Sequence, residues 1–201
     1  MISSRREVMF AVLVCAAVPM PALALAQPRT AAALIAAARA QVGVTLTYDP
    51  AYTRLAFPGG DVDRTRGVCT DVIVRAYRDA FGLDLQALVN ADMRASFAAY
   101  PKRWGLSLPD SNIDHRRVPN LQMFFQRAGA KLAMPTVDQG WLPGDIVTSL
   151  IDNRLPHIGI VSDRVASGRP LVIHNIGAGT REEDVLTAHT ITGRFRWGLT
   201  A

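Results

Sequence analysis

Three residues of this chain are of types that together perform nucleophilic chemistry. Cys69 stands at the head of "GVCTDVIVRAYRDAFG" (67–82), His157 opens "HIGIVSD" (157–163), and His174 lies in "PLVIHNI" (170–176). A thiol attacks a carbonyl carbon as the thiolate. Its ordinary pKa of about 8.5 falls beside a helix N-terminus or an imidazolium. Val72, Ile73, Ala76, Tyr77 and Ala80 follow Cys69 at three- and four-residue spacing, which predicts an amphipathic helix over 69–81, stopped by Gly82. Cys69 lies on the side of that apolar stripe, and the free N–H groups of the first turn can bind an oxyanion. His157 shares a strand face with Gly159 and Val161, and His174 lies on the next apolar run. Antiparallel neighbours stand about 5 Å apart, so one imidazole can serve as base while the other fixes its tautomer. The plainer alternatives are a buried core cysteine and two strand histidines with satisfied hydrogen bonds. A slip of one residue in register would put Asn175 in the orienting position instead of His174.

Other polar clusters read more simply. Asp114 and His115 in "NIDHRR" (112–117) read as a solvated loop that caps the helix after it. His189 falls in a turn. A zinc site from Cys69, His115 and His157 lacks the close paired-ligand spacing of zinc motifs. "NIGAGTREED" (175–184) has no Gly-Lys-Ser element and no apolar helix behind it, so it reads as a turn and not a phosphate loop. No metal and no organic cofactor is implied.

The elements that must position these residues divide the chain in two. The Ala-rich segment 30–43 reads as a helix, 44–61 as extended chain and loop, 85–99 as a second helix, and the stretch from about Pro119 as a short third one. Runs at 144–151, 157–163, 170–176, 183–188 and 190–198 are short, β-branched and separated by turn residues. Helices first and an antiparallel meander afterwards predict an α+β domain, with N-terminal helices packed on a sheet of about five strands.

The N-terminus bears on compartment. Arg5 and Arg6 precede an apolar run from Met9 to Val18, and "ALA" at 24–26 is a small-x-small cleavage pattern. Residues 1–26 thus read as a secretory signal peptide, which would discard Cys15 and leave Cys69 as the one cysteine of a 175-residue single domain, 27–201. The full chain carries 22 basic and 17 acidic side chains, net +5; without Arg5, Arg6 and Glu7 the net charge is +4. The basic residues are scattered, which argues against nucleic acid as a partner. No later stretch is long and apolar enough to span a membrane. A monomer in the periplasm or medium is expected.

The quoted segments resemble a known group. "VCTDVIVRAYRDAFGLDL" is similar to the nucleophile helix of NlpC-type, papain-like cysteine peptidases. "PGDIVT", "HIGIVSD" and "VIHN" resemble the strands that follow in that group. "YDPAY", "FPGGDV", "YPKRWGL" and "HNIGAGTREEDVL" also resemble an uncharacterised family of exported bacterial proteins assigned to it. The resemblance implies a papain-like fold and a thiol hydrolase that cuts amide bonds, with peptidoglycan stem peptides the implied substrate. Cys69 matches the nucleophile, His157 the base and His174 the orienting residue. Tyr48 matches a tyrosine that lines the site. Two departures stand out. Thr70-Asp71 replaces the usual Ser-Gly and puts a carboxylate, Asp71, where it would meet substrate. The 88-residue separation of Cys69 and His157 makes room for a helical and polar insertion at about 85–135. An inactive binding module for wall fragments, and a thiol acyltransferase or amidase acting on a non-wall substrate, are the alternative functions.

Overall fold

In a computed structural model of the protein, residues 28–135 and 140–200 are described. The expected signal peptide lies outside them. The Ala-rich segment forms α1 (Ala31–Arg39), begun by the Thr30 hydroxyl, which accepts from the Ala33 N–H at 3.2 Å. The periodic stretch forms α2 (Cys69–Phe81), with Val68 as N-cap. Val68 offers no side-chain acceptor. Asp71, in the first turn, folds back instead and accepts from the Val68 N–H at 2.7 Å, while its charge favours the positive helix end. Gly82 ends α2 in the left-handed region at φ 66°, with the Leu83 N–H closing onto the Tyr77 carbonyl at 3.3 Å.

The segment from 85 to 135 folds as α3 (Leu85–Ser96), two 3₁₀ turns at Phe97–Ala99 and Asp114–Arg116, and α4 (Val118–Arg127). Short strands β1 (Thr47–Tyr48) and β2 (Arg66–Gly67) pair in parallel ahead of α2. The main sheet holds β3 (Lys131–Leu132), β4 (Ile146–Ile151), β5 (Leu155–Ala166), β6 (Arg169–Asn175), β7 (Thr180–Glu183) and β8 (Thr190–Phe195). Their spatial order is β3-β8-β4-β5-β6-β7, every pair antiparallel. The fold is therefore α+β, with six strands in the sheet where about five are expected. The added strand is β3 at the edge. The strand expected at 183–188 lies instead at 180–183, because a short turn over 176–179 pairs Asn175 with Thr180.

Both faces of the sheet are covered. Ile146, Ile158, Ile160, Ile173 and Phe195 join α1, α2 and α4 in the main core, beside Leu34, Ile35, Tyr77, Leu121 and Phe125. Each such side chain stabilises the fold by about 1.5–3 kcal/mol through burial. Val147, Val161 and Val172 project the other way and pack with Trp141 and Leu186. This alternation sets the direction of every polar side chain on β5 and β6. Trp197 closes the far end of the core, with ring centroids 5.1 Å from Tyr77 and 5.2 Å from Phe124.

Candidate active site

Cys69 is the first residue of α2 and is buried, at 3% exposure. Burial pushes its thiol up to about 12, and the Asp71 charge adds to this. The backbone N–H groups of Ile158 and Thr70, together with the Tyr48 hydroxyl, oppose the shift by hydrogen bonding to the sulfur. The thiol is thus protonated at neutral pH. Tyr48, on β1, is itself held above its ordinary value, first by burial and then by the sulfur.

His157 and His174 are neighbours. His157 Nε2 stands 2.9 Å from His174 Nδ1, with the rings 78° apart. His174 Nε2 is in turn 3.2 Å from Glu183 Oε2. These distances assign the protons. The Glu183 carboxylate accepts, so His174 carries its proton on Nε2 and presents a bare Nδ1. His157 must then donate from Nε2, which leaves His157 Nδ1 as the free base. Gly159 makes room for the pair: a Cβ there would lie 2.5 Å from Val172 Cγ1 and 3.2 Å from His174 Cβ. Burial, with repulsion from His174 and His189, pushes His157 down to about 3. Burial also lowers His174, partly offset by Glu183. Both rings are therefore neutral at ordinary pH.

The thiol and the imidazoles reach β5 from opposite faces. Ile158 and Ile173 point into the core that holds Cys69, whereas His157 alternates with Ile158, and His174 with Ile173, so both rings lie on the Val161–Val172 side. Among the described residues no hydrogen bond joins the Cys69 sulfur to either ring. What joins them is backbone: the Ile158 N–H that meets the sulfur belongs to the residue after His157. The last β5–β6 pair at this end is Ile160 with Ile173, so the strands part before His157 and His174. The start of α2 is fastened beside that gap by Asn175 Nδ2, which donates to the Gly67 carbonyl at 3.0 Å. Asn175 thus pins the helix, while His174 meets His157.

A cleft of about 270 Å³ opens over Cys69, walled by Tyr48, Pro50, Trp104, Val118 and Pro156. Tyr48 and Pro156 also line the hollow that holds His157, so the two spaces share a wall. Asp71 does not line the cleft, contrary to its expected role as a substrate-binding carboxylate. It is buried, and its oxygens are taken by the Val68 N–H and by Arg116, whose Nε and Nη2 each donate at 3.0 Å. Arg116 also donates to the carbonyls of Ala51 (3.2 Å) and Asp49 (3.1 Å), and its own carbonyl accepts from the Thr70 hydroxyl at 2.9 Å. Thr70-Asp71 is thus the grip by which α2 holds the 85–135 segment. His115 is buried and pushed down to about 4 by desolvation, away from the cleft lining, and His189 lies near His157 in a small hollow of the outer face. Among the described residues no cluster of histidine, cysteine and acidic side chains is placed to hold a metal ion, and no helix is long and apolar enough to cross a membrane.

Sequence reasoning missed Glu183 and Arg116. Glu183 pairs with Val172, the residue two before His174 on the same face, so it sits diagonally beside the ring. Recognition of the tight turn over 176–179 would have found it. If the Glu183 carboxylate fixes both tautomers, Glu183→Gln is expected to lower any turnover that depends on Cys69 by roughly tenfold, as loss of an outer orienting partner commonly does. KM should stay unchanged. Steady-state kinetics of the unaltered protein and the Glu183→Gln variant at matched pH would check this.

Residues 35–197 match the family described as "Domain of unknown function (DUF1287)". The chain is also 51% identical over 182 residues to a protein of Escherichia coli (strain K12) described as "Uncharacterized protein YijF", an alignment covering 90% of this chain and 88% of that one.

Proposed function

The chain belongs to the DUF1287 family, and we propose that it is an exported, papain-like thiol hydrolase that cleaves amide bonds, with peptidoglycan stem peptides as substrate. One observation carries this reading. The sulfur at the start of α2 meets the N–H of Ile158, adjacent to His157, whose tautomer is fixed through His174 by Glu183.

The chemistry follows from a neutral pair. The step requires the His157 ring to turn toward the sulfur as substrate fills the cleft, past the Tyr48–Pro156 wall that the two spaces share and through the gap where β5 and β6 part. The thiol proton moves to His157 Nδ1 as sulfur bonds to the carbonyl carbon. The oxyanion is met by the N–H of Cys69 at the helix start. The imidazolium then protonates the leaving amine and the C–N bond breaks. Water attacks the thioester with His157 as base, which frees the carboxylate product and restores the thiol. Burial of the His157 and His174 rings limits the access of water to the proton they share.

A second reading, a non-catalytic module that binds wall fragments, is favoured by the protonated thiol and its lack of a bond to either imidazole. Incubation of the purified protein with isolated sacculi, followed by mass analysis of the soluble fraction, decides between them. Fragments cut at an amide bond support the hydrolase. Binding to sacculi with no cut fragment overturns it in favour of the module.

A further inference from the structure

Among the described residues, the lining of the Cys69 cleft carries Arg103, Arg116 and Arg117 and no acidic side chain. Two of the three cations are neutralised from behind. Arg116 is held by buried Asp71 at 3.0 Å, and Arg117 by buried Asp114 at 3.0 Å. Arg103 is exposed and has neither an acidic partner nor a hydrogen bond among the described residues. Its guanidinium lies 5.9 Å from the Trp104 ring, and that of Arg117 lies 4.1 Å from the same ring. The helix ends add to this charge. Val68 is the N-cap of α2 and Arg117 the N-cap of α4, and both line the cleft. Two helices thus turn their positive ends toward one space. The remaining walls are apolar: Pro50, Ile113, Val118 and Pro119.

We propose that Arg103 is the centre of a carboxylate-recognition subsite, so that the chain selects acyl substrates bearing a free carboxylate a few bonds from the carbonyl that Cys69 attacks. The planar guanidinium presents a fork of donors that matches a carboxylate. The Trp104 ring offers its face to the Arg117 guanidinium, with that of Arg103 nearby. With Arg116 and Arg117 already balanced, Arg103 supplies the one uncompensated charge of the lining among the described residues. The inference rests on the reading that this cleft is the substrate site, but its test needs no hydrolysis.

Iodoacetate and iodoacetamide are close in size and differ by the charge of a carboxylate. Alkylation of Cys69 by each is measured at pH 9 and assigned to the Cys69 peptide by mass. The native protein, its Arg103→Gln and Arg103→Lys variants, and the urea-unfolded chain are compared. Arg103 is exposed and makes no hydrogen bond or ion pair among the described residues, so both variants should fold, and near-ultraviolet circular dichroism checks that they do. The iodoacetate-to-iodoacetamide rate ratio is expected to be about tenfold higher in the native protein than in the unfolded chain, the scale of one nearby charge at a partly exposed site. Arg103→Gln should remove most of that preference, Arg103→Lys should keep most of it, and added salt should weaken it. A native ratio equal to the unfolded one, or one that Arg103→Gln leaves unchanged, overturns the proposal. A protein that cuts no amide yet keeps the preference retains the subsite and loses the hydrolase reading.

Discussion

Cys69→Ala is expected to abolish release of amide-cut fragments from sacculi, and His157→Ala to lower it by about 10³–10⁴-fold, the scale on which nucleophile-and-base pairs fail when the base is removed. Binding to sacculi should persist in both variants, because neither change empties the cleft of its arginines. The acid side of the pH profile carries a sharper expectation. With the thiol pushed up to about 12 and His157 down to about 3, the resting pair is thiol and neutral imidazole. His157 can accept the proton only while it is unprotonated. Its folded-state value lies below the ordinary 6.5, so activity should not fall as pH drops through 6.5 and should be lost only at much lower pH. Initial rates measured from pH 4 to 9 would check this. A limb centred near 6.5 would mean that the free base is more exposed in the complex than at rest.

The second large effect concerns stability. Asp71 and Arg116 are both buried, and their ion pair ties α2 to the 3₁₀ turn at 114–116 and to the carbonyls before β2. Asp71→Ala strands a guanidinium in the interior, which costs about 3–5 kcal/mol. For a domain of this size that is a fall in Tm of roughly 10 °C. The double variant Asp71→Leu, Arg116→Met should recover most of the loss, since it removes both charges and keeps the volume. Urea unfolding of the three proteins gives the numbers. An Asp71→Ala midpoint within error of the unaltered chain would show that water reaches Arg116.

Much of this arrangement is legible in the sequence, and the illegible parts share a cause. The stripe from Val72 to Tyr77 dictates α2 because its spacing has one solution. The adjacency of His157 and His174 follows from two neighbouring apolar runs. The face on which they project does not. Both sides of this sheet are covered, so alternation along β5 separates Ile158 from His157 without saying which side α2 takes. Asp71 reads as a cleft residue because Cys69 is one. At the third helical position, however, a carboxylate returns to the start of its own helix, and its partner Arg116 is 45 residues away along the chain. Glu183 is hidden by the length of one turn, since a shift of two residues in the hairpin moves it away from His174. Local periodicity is written in neighbours. Long-range ion pairs and hairpin register are settled only when the chain closes on itself.

At rest the sheet separates the sulfur, on one face, from the proton-handling rings on the other. Val147 and Leu186 line the small outer hollow with His157, whereas Ile160 belongs to the core that holds Cys69. Imidazole basicity and nucleophile placement are therefore separate dials. Drift or engineering on the outer side can retune the acidity at which such a protein works while the thiol's mooring stays as it is.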